Sequence, residues 1–327
     1  MRTNLKITEE IIERVNEALY DFGKYITTKK LNSAYNYLIS NGGKRFRPLM
    51  ANLGTALFTD NHLMCIHQSV ALELLHNFTL VHDDIMDKSP LRRGKETIYQ
   101  KWDDTTAILL GDLIIGLSCK KLKEGLTAKQ SMKAMEVFNF GLVEVCDGQA
   151  FDLEFEERTD ITIEEYKSMI DKKTGSLIRT SLVIGGIVGN ASEDQLEKLK
   201  ILGTELGQAF QLQDDLLDLI GSNEFGKKIG QDIIEGKKTF LIITANSKAT
   251  DKSDIALLDK FYANNGLGET EVEKMRNMLT RLGIIDEVKD LINLHFNNAF
   301  VIIKELSDNK YSDIMIEILE KYKSRVV

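Results

Sequence analysis

The sequence predicts an all-α protein, and three observations carry that expectation. Apolar residues make up 43% of the 327, enough to bury a sizeable core. Only two prolines occur, Pro48 and Pro90, so few positions forbid continued helix. Long stretches rich in Leu, Ile, Lys and Glu show little strand-type alternation, which favours helix over sheet. The expected architecture is a single domain, residues 1–327, of ten or more helices packed around a central space.

Breaks between helical stretches are expected at Gly42-Gly43, Lys88 to Gly94, Thr159-Asp160, Gly221 to Gly226 and Gly266-Leu267-Gly268. Two helix starts are written locally. Thr162 is followed three residues later by Glu165, and Ser192 by Gln195, each the pattern of a capping box. No low-complexity tract or solenoid-type repeat interrupts the chain.

Composition also excludes function classes. The net charge is −8, and the basic footprint of a nucleic-acid-binding protein is missing. Met1 to Glu10 is polar and reads as no signal peptide. The most apolar runs are interrupted by Asp112 and Arg179, short of the ~18 uninterrupted apolar residues a membrane span needs. Stable membrane insertion is therefore not expected. The three cysteines, Cys65, Cys119 and Cys146, are widely spaced and read as buried or half-buried thiols of a reducing cytoplasm.

Two acidic motifs echo each other. Asp83-Asp84-Ile85-Met86-Asp87 follows an apolar run from Val70 to Val81, and Asp214-Asp215-Leu216-Leu217-Asp218 follows Ala209 to Gln213. On a helix, the three aspartates of each motif share one face at i, i+1 and i+4, with His76 and Leu80 on the face of the first and Gln211 on that of the second. Like charges at that spacing destabilise a helix unless a cation compensates. Oxygen ligands without His or Cys suit Mg²⁺, which keeps several waters and commonly bridges to substrate phosphates.

Short cationic clusters flank both motifs. Gly42-Gly43-Lys44-Arg45-Phe46-Arg47-Pro48 precedes the first and Arg92-Arg93-Gly94 follows it; Gly226-Lys227-Lys228 and Gly236-Lys237-Lys238-Thr239 follow the second. Lysine offers phosphate a point charge and arginine a planar fork, and glycine admits close backbone approach. The set suits two polyanions held beside metal ions.

These residues resemble the trans-isoprenyl diphosphate synthase family, the farnesyl and geranylgeranyl diphosphate synthases. GGKRFRP, LVHDDIMDKSPLRRGKET, GDL, EVCDGQAFDLEF, KKTGSL, FQLQDDLLDLIG and GKKIGQDIIEGKKT occur in family order from Gly42 to about Thr239. The resemblance implies an isoprenoid-synthase-type helical bundle around a deep cavity, usually a homodimer. It implies three Mg²⁺, with Asp83 and Asp87 as ligands of two and Asp214 as principal ligand of the third. Asp84, Asp215 and Asp218 would support them through water or further hydrogen bonds. Lys44, Arg47, His76 and Arg93 match positions that hold isopentenyl diphosphate. Arg92, Lys173, Lys227 and Lys237 match those that hold the allylic diphosphate (dimethylallyl, geranyl or farnesyl). Within each lysine doublet the family pattern favours the residue after glycine, while Lys228 and Lys238 stay open; Arg45 could also turn inward. Thr174 and Gln211 match positions whose oxygens face the developing allylic cation.

Product length is expected from the residues just upstream of Asp83. Phe78 stands five before it and Thr79 four, with no insertion in the motif. That pattern resembles the geranylgeranyl (C20) type, with a farnesyl (C15) synthase as the alternative. Helical geometry places Thr79 nearer the Asp83 line than Phe78, so either could set the stop. A non-catalytic regulatory subunit, a terpene cyclase and a head-to-head synthase are rivals. Both complete aspartate motifs weigh against the first, the GGKRFRP block against the second, and missing characteristic motifs against the third. Asp152, Glu154, Glu156 and Glu157 read as a solvated or interface segment, and Lys321 to Arg325 as either a cover for the cavity mouth or a frayed end.

Overall fold

The computed structural model describes residues 2–221 and 229–325. The helices are α1 (Arg2–Phe22), α2 (Lys29–Ser40), α3 (Phe46–Ala56), α4 (Ile66–Met86), α5 (Ile98–Lys101), α6 (Asp104–Leu122), α7 (Ala128–Glu157), α8 (Ile163–Ile170) and α9 (Ser176–Val188). They continue with α10 (Glu193–Ile220), α11 (Gln231–Ile234), α12 (Phe240–Lys248), α13 (Lys252–Ala263), α14 (Glu269–Arg281), α15 (Ile284–Leu306) and α16 (Lys310–Lys323). The all-α expectation holds. The strand structure among the described residues is one antiparallel ribbon, β1 (Leu91–Arg92) and β2 (Lys95–Glu96), with Leu91 opposite Glu96 and Arg92 opposite Lys95. No helix among the described residues is long and apolar enough to cross a membrane.

Both capping boxes form. Thr162 Oγ1 accepts from the Glu165 N–H at 3.1 Å while the Glu165 carboxylate accepts from the Thr162 N–H at 2.9 Å. Ser192 and Gln195 exchange the equivalent bonds at 3.3 and 2.9 Å. Each satisfies backbone donors that a helix start leaves open.

The chain packs as two compact units. The first comprises Met1–Val143, Leu177–Gly203 and Ile303–Met315. At its centre α4 packs on α6, α3 and α1, burying Val70, Ala71, Leu72, Leu74 and Leu75. The apolar run before Asp83 is thus core, which fixes where the aspartates emerge at the helix end. One ion pair is sealed in this core. Arg45 Nη1 meets Glu73 Oε1 at 2.6 Å, Arg45 Nε donates to Asn16 Oδ1 at 2.8 Å, and both charged side chains are 3% exposed. Arg45 adopts left-handed backbone (φ 50°) to reach it. Arg45 therefore does not turn toward substrate; its charge is committed to Glu73.

The second unit comprises Glu144–Ser176, Thr204–Ile302 and Ile316–Val327. Its core includes Tyr166, Leu212, Leu216, Phe240, Phe261 and Phe296. The C-terminal segment is anchored, not frayed. Gln213 donates to the Tyr322 carbonyl at 2.8 Å, the Tyr322 ring meets Phe210 edge-on at 5.1 Å, and Arg325 stacks 4.0 Å over Tyr322.

Removing one member of a buried ion pair strands the other charge, at a cost of about 3–5 kcal/mol. Arg45→Ala is expected to lose about that much, measured by chemical denaturation, whereas Arg14→Ala, which breaks an exposed pair with Glu17, should change stability by about 0.5 kcal/mol or less.

Candidate active site

The first aspartate motif sits where α4 ends. Asp87 caps the helix C-terminus, its N–H bonding the Asp83 carbonyl at 2.9 Å, and Lys88 turns the chain away in left-handed backbone (φ 51°). The three carboxylates are not equivalent. Asp84 is 4% exposed, Asp83 is half-buried and Asp87 is exposed. The β ribbon explains the difference. Its tight turn uses positive φ at Arg93 (55°) and Gly94 (73°), the requirement of a two-residue hairpin loop. Arg92 is thereby carried back over the helix end, with Nε 2.6 Å from Asp84 Oδ1 and Nη2 3.5 Å from Asp83 Oδ2. Burial nonetheless outweighs the guanidinium at Asp84 and raises its carboxyl to about 6.

The cations before and after this motif converge. Arg47, in the first turn of α3, places Nη1 3.1 Å from His76 Nε2 on α4. A guanidinium only donates, so Nε2 accepts, and the proton of neutral His76 is on Nδ1. That atom is buried and meets no acceptor among the described residues. Burial, reinforced by the neighbouring arginines, holds His76 well below its usual range. Arg93 donates to the Gly42 carbonyl. Its guanidinium lies so close to Gly43 that a Cβ there would stand 2.8 Å from Nη1, and Gly43 has φ +145°; the glycine pair is the seat of Arg93. Lys44 is exposed beside them. Thr79 donates to the His76 carbonyl at 2.8 Å, and Phe78 meets His82 edge-on at 4.8 Å.

The second motif belongs to the other unit and repeats the inequality. Asp215 is 5% exposed, Asp218 half-buried and Asp214 exposed. Asp215 accepts from the buried Tyr166 hydroxyl and, at 2.9 Å, from Gln211 Nε2. Burial pushes its carboxyl up and the Tyr166 phenol well up. With its amide nitrogen held by Asp215, Gln211 turns Oε1 to accept from Thr174 Oγ1 at 2.8 Å. Asp218 accepts from the Asp232 N–H at 3.0 Å. Thr174 and Lys173 sit in a π-helical turn, Asp171–Gly175, between α8 and α9, the kind of irregular turn that recurs at functional sites. Gly148 on α7 makes room for it, since a Cβ there would lie 2.4 Å from the Lys173 nitrogen. Lys173 pairs with Asp152.

A cleft here is lined by Asp152, Glu156, Lys173, Gln211, Asp215 and Lys237, among others. Lys238 also borders it, but its ammonium donates to the Glu156 carbonyl at 2.7 Å and to the Asn265 side chain. Lys237 keeps a third of its side chain exposed, 4.0 Å from Glu235. Lys227 and Lys228 lie outside the described residues.

Sequence reasoning missed Tyr166 and misjudged Asp152. The acidic run from Asp152 to Glu157 is the last part of α7, and Asp152 and Glu156, four apart, share the face that lines the cleft. That i, i+4 spacing was the available signal. No motif marks Tyr166, which reaches Asp215 from another helix. The cysteine reading also needs correction: Cys65 is buried and Cys119 half-buried, but Cys146 is exposed on α7.

Among the described residues no group of three or more His, Cys, Asp or Glu side chains is arranged as a ready metal cage. The donor set nevertheless fits Mg²⁺. In the first unit the half-buried Asp83 and exposed Asp87, and separately in the second the exposed Asp214 and half-buried Asp218, match an ion that uses one or two carboxylates, waters and substrate phosphates in place of an all-protein cage.

The polyprenyl synthetase family model matches residues 28–279. The chain is 38% identical over 317 residues to a geranylgeranyl diphosphate synthase of Saccharolobus solfataricus, covering 95% of this chain and 90% of that one. It is 33% identical over 297 residues to a geranylfarnesyl diphosphate synthase of Natronomonas pharaonis, covering 85% of each. Among solved structures, a geranylgeranyl pyrophosphate synthetase from Pyrococcus horikoshii superposes with a TM-score of 0.90 at 31% identity, covering 98% of both chains.

The state of His76 has a measurable consequence. Unfolded, it takes a proton as pH falls below 6.5; folded, it stays neutral. The native form is therefore destabilised on acidification below about 6.5, and no such loss arises from His76 above it. Denaturation of His76→Gln between pH 7.5 and 5.5 should show a stability slope shallower than wild type by up to one proton; equal slopes would contradict the assignment.

Proposed function

The chain belongs to the polyprenyl synthetase family, and on that footing we propose that it is a Mg²⁺-dependent prenyltransferase that extends allylic diphosphates with isopentenyl diphosphate to geranylgeranyl diphosphate. The observation that carries this reading is the cluster of Arg47, Arg93 and the acceptor-less Nδ1–H of His76 beside the first aspartate motif. Anion-seeking donors next to unevenly buried carboxylates suit a metal-bridged diphosphate.

Lys44, Arg47 and Arg93 take the oxygens of isopentenyl diphosphate, and His76 Nδ1–H donates one further bond. Arg92 already lies against Asp83 and Asp84, so a diphosphate arriving at these carboxylates meets a cation without rearrangement. In the second unit Lys173 and Lys237 hold the allylic diphosphate. When its C–O bond breaks, both electrons leave with the diphosphate, whose charge these ammonium groups stabilise. Asp83, Asp87 and Asp214 would hold Mg²⁺, which would supply further neutralisation of the same leaving group. Thr174 donates its proton to Gln211, leaving hydroxyl lone pairs to face the positive carbon. The π electrons of isopentenyl diphosphate form the new C–C bond, and the proton then lost passes to the released diphosphate.

Phe78 sets the C20 stop, about one and a half turns before Asp83 on α4, where one turn of helix matches about one isoprene unit. Support comes from the geranylgeranyl synthases among the relatives, beside which a geranylfarnesyl synthase also stands at 33% identity. The working form is a homodimer. Leu109, Met132, Phe140 and Val143 stand 50–73% exposed on α6 and α7, an apolar face that a second copy would cover.

Incubation with Mg²⁺, isopentenyl diphosphate and dimethylallyl, geranyl or farnesyl diphosphate is expected to give a dominant C20 alcohol after dephosphorylation, with farnesyl diphosphate accepted as primer. Elongation halting at C15, with farnesyl diphosphate refused, would identify a farnesyl synthase instead. No elongation from any primer by folded protein would revive the regulatory-subunit reading. Asp83→Ala should lower kcat about 100-fold or more. Light scattering after chromatography should give the mass of two chains for wild type and of one for Phe140→Glu; a wild-type monomer would refute the dimer.

A further inference from the structure

The proposed C20 stop depends on one aromatic ring keeping its place against a growing hydrocarbon. Phe78 is half-buried, so its neighbours decide whether it yields. The ring that meets it is His82, four residues on along the same face, at 4.8 Å between centroids with the planes at 62°. His82 is itself fixed from α6 in two ways. Its Nε2 lies 3.3 Å from the Ile108 carbonyl; a carbonyl only accepts, so Nε2 carries the proton and the ring plane is set. Gly111, one helical turn further, lets the ring press onto the α6 backbone, since a Cβ there would stand 2.2 Å from Nε2. An aliphatic side chain at 82 would have neither the donor for the carbonyl nor the flat edge for Phe78.

We infer that His82 is a positioning residue for product length: clamped between the Ile108 carbonyl and Gly111, its ring holds Phe78 in the orientation that stops elongation. The inference rests on the reading of Phe78 as the stop. His82 acts through Phe78, not on the reacting atoms, so its loss changes which product leaves more than how fast the first bond forms.

The test compares Phe78→Ala, His82→Ala, His82→Phe and the double variant Phe78→Ala/His82→Ala, each with farnesyl diphosphate, isopentenyl diphosphate and Mg²⁺. The ratio of C25 to C20 alcohol is read at early turnover. Phe78→Ala should raise the ratio tenfold or more, on the order of one methylene's worth of discrimination or greater. His82→Ala should raise it several-fold with the initial rate of isopentenyl incorporation less affected. His82→Phe keeps an aromatic edge and should stay closer to wild type than His82→Ala. The double variant should match Phe78→Ala, because the two residues act in series. A purely structural role for His82 would lower rate and thermal stability while leaving the ratio at the wild-type value, and that outcome overturns the inference while Phe78→Ala still lengthens the product. If Phe78→Ala itself leaves the ratio unchanged, the stop lies elsewhere and the reading beneath the inference fails with it. Should His82→Ala not fold, a wild-type ratio for His82→Leu, which fills the volume without the donor, also overturns the inference.

Discussion

A carboxylate placed beside another at the end of an apolar helix is costly, and the arrangement around both aspartate motifs follows from how that cost is met. At the end of α4 the middle aspartate is turned inward onto Arg92, while its neighbours face outward to different degrees. At the end of α10 the equivalent residue, Asp215, is turned inward onto Tyr166 and Gln211. In each case one carboxylate becomes part of the protein's hydrogen-bonded framework. The remaining ones are more exposed, although Asp83 still meets Arg92 and Asp218 accepts from the Asp232 N–H. Uneven burial thus divides three chemically identical groups into one held inside the protein and two nearer solvent.

The same division governs the cations. Arg45 and Arg47 are two residues apart in one short motif, yet one is sealed against Glu73 in the core and the other reaches His76. Arg45 anchors the loop that presents Lys44 and Arg47, and Gly43 leaves the room in which Arg93 rests. The Lys237–Lys238 doublet divides likewise: Lys238 secures backbone and Asn265, and Lys237 keeps its exposed stem in the cleft.

In the second unit the π-helical turn does what a regular α-helix would not. It interrupts the α8–α9 path at Lys173 and Thr174, so that a lysine and a hydroxyl present themselves together beside Gln211. The hydrogen-bond series then converges on Asp215, which accepts from Tyr166 and from Gln211, while the Gln211 carbonyl accepts in turn from Thr174. A buried polar chain of this kind is stable only if every member is satisfied, which ties the orientation of Thr174 to a tyrosine on another helix.

Taken alone, the amino-acid sequence settled the all-α class, the helix starts at Thr162 and Ser192, the two aspartate motifs and the cation clusters that flank them. All of these are written in spacing over a few residues, where helix periodicity, capping and like-charge repulsion act. Only the tertiary structure decided which aspartate of each motif is buried, that Arg45 belongs to Glu73, that a two-residue hairpin returns Arg92 to Asp84, that Asp152 meets Lys173 and that Tyr166 holds Asp215. Phe78 shows the boundary between the two: its place before Asp83 is legible in the chain, but the Ile108 carbonyl and the bare backbone at Gly111 that seat the His82 ring beside it are not. Burial and the choice of partner join residues far apart in sequence, and local spacing carries no record of which side chain will arrive from another helix.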